Sequence, residues 1–376
     1  MKRYICGEIS KNGADNLYRK IVIFNHYWLN NLEKLAQAEP IAIISEYRYV
    51  FSHVPSYLQK YNIPIFFFDI EEISRLNTAT TIAIDIVKNS ISIYHDDSDV
   101  VDMEHLVNRN NKPIIVNTSI KGLDNRMSFE CGADGVGLIS TEFLFFDYCN
   151  MDGTLYYEVL DSVMSAHPKV KYTIRLFDFN YDKFPKWFSN KYYIDSYKYY
   201  KGRNFFFVDA MNDLLIMQLS MIVKLSSQYK ISILLPYINS VNEVLKIQKM
   251  LETLDINRRI RLGTMLETVS AIHEIDNLKP YVNFFSIGTN DLVQSYFGID
   301  RTDIINMNEI NIQLSLFSNL LRLAFEKAAD KKIKVCGQLP IVHGMLEQLI
   351  QIGYTEFTVS PQWVPYIKSE LNLMKL

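Results

Sequence analysis

Residues 282–301 read "VNFFSIGTNDLVQSYFGIDR". Phe284 to Ile287 form a short apolar run that meets Gly288 and then Thr289, Asn290 and Asp291. A brief apolar run closed by a glycine suits a strand buried on both faces, as in a parallel sheet. The segment after it carries helix-like spacing and closes on Asp300-Arg301. A buried strand that ends on an amide and an acid is a strand-to-helix junction equipped for chemistry.

Outward from this junction the pattern repeats. Strand candidates are "PIIVNT" (113–118), "GVGLIS" (135–140), "KYTIRLFD" (171–178), "KISILLP" (230–236), "RIRLGTML" (259–266), "VNFFSIGT" (282–289), "KIKVCGQ" (332–338) and "EFTVS" (356–360). Each is followed by a stretch that can be helical, most clearly residues 210–227 and 311–330. Eight β/α units over residues 113–376 match the size of a (β/α)8 TIM barrel, about 250 residues. A doubly wound open sheet is the alternative.

Upstream, "KIVIF" (20–24), "PIAIIS" (40–45) and "IPIFFF" (63–68) read as strands, and "TIAIDIVKNSISIY" (81–94) as a hairpin turning near Asn89. "HVPSYLQKY" (53–61) reads as a short helix. The expected organisation is a small α/β domain at 1–95, a linker at 96–112 and a barrel at 113–376. The polar stretch 95–112 reads as a short linking helix followed by a turn.

Composition excludes some classes of function. Hydrophobic residues make up 48% and the net charge is −3, so nothing favours nucleic acid or an anionic membrane as partner. The start has no apolar leader segment and no run is long enough to span a membrane, so a cytoplasmic setting is expected. The four cysteines are dispersed, which argues against a zinc site or a disulfide framework.

In a barrel, chemistry collects where strands end and βα loops begin. Those points offer Ser140-Thr141-Glu142, Arg175 and Asp178, Glu267, Asn290-Asp291 and Cys336-Gly337-Gln338. Lys183, Lys201 and Arg203 lie in the long connection after the third strand. Glu267 and Asp291 end adjacent strands, and Mg2+ favours oxygen ligands of this kind. Taken singly, each reads as a first-turn helix acid. Arg175 inside an apolar strand needs a partner, Asp178 or Glu267, or else an anionic ligand. Cys336 is a packing thiol or a general acid–base group. Ser52-His53 opens a helix, and by local sequence alone His53 is an ordinary surface histidine.

Together these blocks resemble the phosphoenolpyruvate-utilising enzymes, which include enzyme I of the sugar phosphotransferase system, pyruvate phosphate dikinase and phosphoenolpyruvate synthase. "GADGVGLISTEFLFFD" (132–147), "YTIRLFDFNYDKFP" (172–185), "ILLPYINSVNEV" (233–244), "GTMLETVSA" (263–271), residues 284–301 and "KVCGQL" (334–339) fall in family order. Residues 41–68 resemble the family's swivelling phosphohistidine domain. The resemblance implies Glu267 and Asp291 as Mg2+ ligands. It implies Arg175, Arg203, Asn290, Asp291 and Arg301 as the residues that hold phosphoenolpyruvate. Cys336 would protonate the enolate carbon to give pyruvate, and His53 would take the phosphoryl group. A mobile linker would let the first domain carry it to a protein or small-molecule acceptor in trans, and the family implies dimerisation through the barrel.

Some positions depart from the family pattern. Ser140 stands where an arginine grips the phosphate. Arg48-Tyr49 replace a glycine pair, Phe51 a threonine and Gln338 a glutamate. Neither an ATP-grasp domain nor the helical domain that docks a carrier protein has a counterpart. A phosphotransferase is therefore the first expectation and a catalytically weakened phosphoenolpyruvate- or pyruvate-binding regulator the second. A barrel lyase acting on a 2-oxo acid is the third.

Overall fold

The computed structural model describes residues 4–10, 17–79, 81–92, 106–107, 113–123, 125–179, 187–188, 211–254, 260–298 and 307–374. The first six strands are β1 (Tyr4–Ser10), β2 (Ile21–Ile23), β3 (Ala42–Glu46), β4 (Ile65–Phe68), β5 (Thr81–Asp85) and β6 (Ser90–Ser92). They form one sheet in the order β4-β3-β2-β1-β5-β6. β1 to β4 run parallel, while β5 and β6 are antiparallel. The expected hairpin is β5–β6, and Asn89 takes a left-handed φ of 46° at its turn, which asparagine tolerates. β1 was not expected, yet it sits inside the sheet between β2 and β5. The helix Val54–Lys60 follows His53, with Pro55 in its first turn.

β7 (Leu106–Val107) pairs antiparallel with β8 (Pro113–Ile120). This corrects the expected linking helix at these two residues, whose backbone completes a strand ladder instead. The rest of 96–112 lies outside the described residues. β8 is followed by β9 (Val136–Ser140), β10 (Lys171–Arg175), β11 (Lys230–Leu235), β12 (Arg261–Leu266), β13 (Phe284–Gly288), β14 (Lys332–Cys336) and β15 (Glu356–Val359). β8 to β15 are parallel neighbours in sequence order, and β15 pairs with β8, Phe357 opposite Val116. That pairing closes a (β/α)8 barrel and excludes the open sheet. The helices Asn212–Ser226 and Met307–Ala328 lie where the apolar spacing placed them.

The first sheet and the barrel share a continuous apolar core. Phe66 and Phe67 on β4 pack on Trp363, beyond β15, with ring centroids 5.5 and 6.1 Å apart. Gln59, buried in the helix after His53, donates to the Ser119 carbonyl at 2.8 Å and accepts from Ser360 Oγ at 2.9 Å. A buried amide satisfied on both sides fixes orientation as well as contact. The result sets the start of the helix Val54–Lys60 over the C-terminal mouth of the barrel.

Candidate active site

A cavity of about 300 Å³ lies between that helix and the barrel mouth. His53, Arg175, Glu267, Asn290, Asp291 and Cys336 all line it. Arg203 and Arg301, and with them Lys183 and Lys201, lie outside the described residues.

Arg175 ends β10 in a nest of acids. Its guanidinium pairs with Glu142, with Asp178 at 3.1 Å and with Glu267 at 3.6 Å. Thr141 Oγ1 donates to the Arg175 carbonyl at 2.7 Å, which ties the ends of β9 and β10. Both sequence-derived partners are present, and Glu142 is a third. Burial pushes the Glu142 carboxyl up while Arg175 opposes it. Glu142 Oε2 is buried without a hydrogen-bond partner. Among the described residues, three acids thus face one guanidinium.

Glu267 follows β12, and Asp291 sits in the first turn of the helix Thr289–Phe297. Burial, then Asp291 and Asp178, hold the Glu267 carboxyl well above the usual range, with Arg175 opposing. Tyr237, after β11, joins the two acids. Its N–H donates to Glu267 Oε2 at 2.8 Å and its hydroxyl to Asp291 Oδ1 at 3.3 Å. It does so from a left-handed φ of 51°, an uncommon state for an aromatic residue. Gly288 gives Glu267 its space, because a Cβ there would lie 2.5 Å from Glu267 Cγ. Among the described residues no group of three or more His, Cys, Asp or Glu is placed to hold a metal ion. A pair of acids nonetheless suits Mg2+, which takes one or two carboxylates and completes its shell with substrate oxygens and water.

Cys336 ends β14, and burial pushes its thiol up to about 11, with Lys121 and Arg175 opposing. It is therefore a protonated thiol near neutral pH, suited to donate a proton. Asn290 Oδ1 accepts from the Gln338 N–H at 2.9 Å, and Thr289 Oγ1 donates to the Cys336 carbonyl at 3.1 Å. These bonds lock the ends of β13 and β14 together. Gln338 Nε2 donates to Ser360 Oγ at 3.4 Å, so the amide sits where a glutamate would add another buried acid.

The bulky residues before His53 turn away from the cavity. Phe51 is buried in the core, Tyr49 packs edge-on against Phe24 at 5.1 Å, and Arg48 pairs with Glu46 at 2.8 Å. None of the three lines the cavity. Ser140 does line it, fully buried, with Oγ lacking a partner. Sequence reasoning missed Tyr237, Lys60 and Lys121. The signal for Lys121 was its place directly after a barrel strand. Tyr237 directly follows the strand candidate 230–236 in the same way, but its two bonds depend on a left-handed backbone that the sequence does not mark.

The closed parallel barrel with its polar side chains gathered at the C-terminal mouth has the architecture of a (β/α)8 barrel protein. Residues 97–376 match the family described as "PEP-utilising enzyme, PEP-binding domain", and the chain belongs to that family. It is 27% identical over 270 residues to multiphosphoryl transfer protein 2 of Escherichia coli K12, covering 66% of this chain and 31% of that protein. It is 29% identical over 256 residues to the phosphoenolpyruvate-protein phosphotransferase of Haemophilus influenzae, covering 63% and 43%. The chain thus spans less than half the length of these curated relatives. Similar solved structures include citrate synthase SbnG, at TM-score 0.40 and 15% identity over 70% of this chain and 92% of that one. Among the described residues no helix is long and apolar enough to cross a membrane.

Proposed function

We propose that the chain is a phosphotransferase that moves the phosphoryl group of phosphoenolpyruvate to His53, releases pyruvate and passes the group to an acceptor in trans. The observation that supports this reading is the shared cavity. His53 opens the helix Val54–Lys60 between β3 and β4 of the first sheet, yet it lines the same space as Arg175, Glu267, Asp291 and Cys336. An imidazole nitrogen lone pair attacks phosphorus and the bond from phosphorus to the enol oxygen breaks. The electron pair stays on that oxygen. The Cys336 thiol gives its proton to the methylene carbon, which completes pyruvate, and the thiolate recovers a proton from solvent. Glu267 and Asp291 would hold Mg2+, whose charge would offset that of the phosphoryl group and the enolate. Arg175 and Asn290 orient the substrate, with Arg203 and Arg301 assigned the same task by resemblance. The names of the curated relatives point to a protein as acceptor.

The test is incubation with labelled phosphoenolpyruvate and Mg2+. Acid-labile label is expected on the unaltered chain and is absent from His53→Ala. Labelling that persists in that variant would sink the assignment. A second reading, a weakened binder of phosphoenolpyruvate or pyruvate, is favoured by Ser140, where a buried hydroxyl replaces a cation. Turnover to pyruvate would exclude it.

A further inference from the structure

We propose that Lys121 is a substrate-binding residue that holds the phosphoryl end of the substrate between the barrel mouth and the helix carrying His53. The inference rests on phosphoenolpyruvate being the substrate, and it adds a residue that the strand-end reading did not contain.

Lys121 directly follows β8 and lines the cavity. Its ammonium crosses to the other wall and donates to Ser56 Oγ at 2.6 Å. Ser56 lies three residues beyond His53, inside the helix Val54–Lys60. Lys121 also lies over the Phe143 ring at 5.6 Å. Among the charges acting on the Cys336 thiol, Lys121 is the largest. One ammonium therefore reaches the helix of the phosphoryl acceptor from the barrel side, in the cavity that His53 and Cys336 also line.

Charge is unevenly distributed around the cavity. Glu142, Asp178, Glu267 and Asp291 surround the Arg175 side, at the ends of β9, β10, β12 and β13. The two lysines lie toward the His53 helix. Lys60 is ion-paired with Asp147 at 2.6 Å. Ile120 pairs with Ile139, so Lys121 and Ser140 follow side by side at the ends of neighbouring strands. Ser140 contributes only a buried hydroxyl without a partner. Among the described residues Lys121 and Lys60 are the lysines that line this cavity, and Lys121 is the one beside Ser140. A phosphoryl oxygen is a stronger acceptor for an ammonium than a serine hydroxyl, and a long flexible stem lets lysine exchange one for the other. During transfer the phosphorus–oxygen bond breaks and a nitrogen–phosphorus bond forms at His53. Lys121 stays on the equatorial oxygens throughout, and no proton leaves it.

The test compares two ligands in the presence of Mg2+, phosphoenolpyruvate and pyruvate, which lacks the phosphoryl group. By calorimetry, Lys121→Met loses about 10- to 100-fold in affinity for phosphoenolpyruvate, the range of a charged hydrogen bond. Its affinity for pyruvate changes less than about twofold. Lys121→Arg keeps the preference for phosphoenolpyruvate. So does Ser56→Ala, which removes the tie to the helix but keeps the charge. Wild-type affinity for phosphoenolpyruvate in Lys121→Met, or equal loss for both ligands, would overturn the proposal. If the unaltered chain binds phosphoenolpyruvate with this lysine dependence but never labels His53, the transfer reading fails and the Lys121 assignment stands. Absence of any binding by the unaltered chain overturns both.

Discussion

Cys336 occupies the last position of β14, where the barrel gives it neighbours but little water. The thiolate is the form that burial penalises, and the thiol rises to about 11. A thiol with an ordinary value of about 8.5 is substantially ionised at pH 8, whereas one near 11 is ionised about a thousandfold less than it is protonated. Alkylation of Cys336 by iodoacetamide at pH 8 should therefore be at least about 100-fold slower than that of the exposed Cys149. The rate should climb as pH rises toward 11. Mass spectrometry of the separated peptides reads both rates, and rapid modification of Cys336 at pH 8 would remove its claim as proton donor. The linkage to stability has the same sign. A folded value above the unfolded one gives stability that is complete below about pH 8.5 and is lost as pH rises through about 11. Cys336, Arg175, Glu267, Asn290 and Asp291 were legible in the sequence for one reason. Each sits in or directly after an apolar run, and barrel geometry sends such residues to one rim. Glu142 and Asp178 were visible at strand ends too, but their pairing with Arg175 depends on which strands are neighbours. Tyr237 also follows an apolar run, but nothing local marks a tyrosine for a left-handed backbone, so its bonds to Glu267 and Asp291 were not legible.

Strands and the turns that end them carry the site, and glycine shows where their spacing is tightest. At Gly288 the last residue of β13 passes against the side chain of Glu267, which follows the neighbouring strand β12. Glu267 is held on one side by the Tyr237 N–H and on the other by Arg175, so it has little room to yield. Gly288→Ala should leave the barrel folded but move that carboxylate, with about a 10- to 100-fold loss of Mg2+-dependent phosphoenolpyruvate binding. Calorimetry with and without Mg2+ measures it, and unchanged binding would mean that Glu267 is no ligand. The eight barrel strands were readable because both faces of each are covered, which writes them as apolar runs. β1 escaped notice for the opposite reason. "YICGEIS" is only half-buried along most of its length and contains Gly7 and Glu8, so neither an apolar run nor a clean alternation marks it. Its place in the sheet is set by pairing with β2 and β5, which is a tertiary property.

At the scale of the whole molecule, the central question is how firmly the His53 unit sits on the barrel. The sequence suggested two bodies joined by a linker, and local pattern carries no record of what one body buries against another. Phe67 stacks on Trp363 and Phe66 meets it edge-on, and Gln59 is sandwiched between Ser119 and Ser360. Gln294 Nε2 adds a bond to the Phe51 carbonyl at 3.3 Å, two residues before His53. Such an interface couples the two units in unfolding. Calorimetry of the unaltered chain should therefore show a single cooperative transition. Trp363→Ala removes a fully buried indole and should cost about 3–5 kcal/mol. Because the loss falls on the shared surface, it should split the transition in two, with the His53 unit melting first. Labelling of His53 should slow in the same variant, since less of the population holds His53 over the cavity. Phosphoenolpyruvate binding, carried by the barrel rim, should weaken far less. Two transitions in the unaltered chain would show that the units are independent. A single transition retained in Trp363→Ala would place the coupling elsewhere, at Gln59 and the polar contacts around it. Under the proposed function, delivery to an acceptor in trans would either open this interface or bring the acceptor to His53 where it stands. Trp363→Ala separates the two routes. If opening limits delivery, the variant hands on its phosphoryl group faster than the unaltered chain even though it acquires that group more slowly.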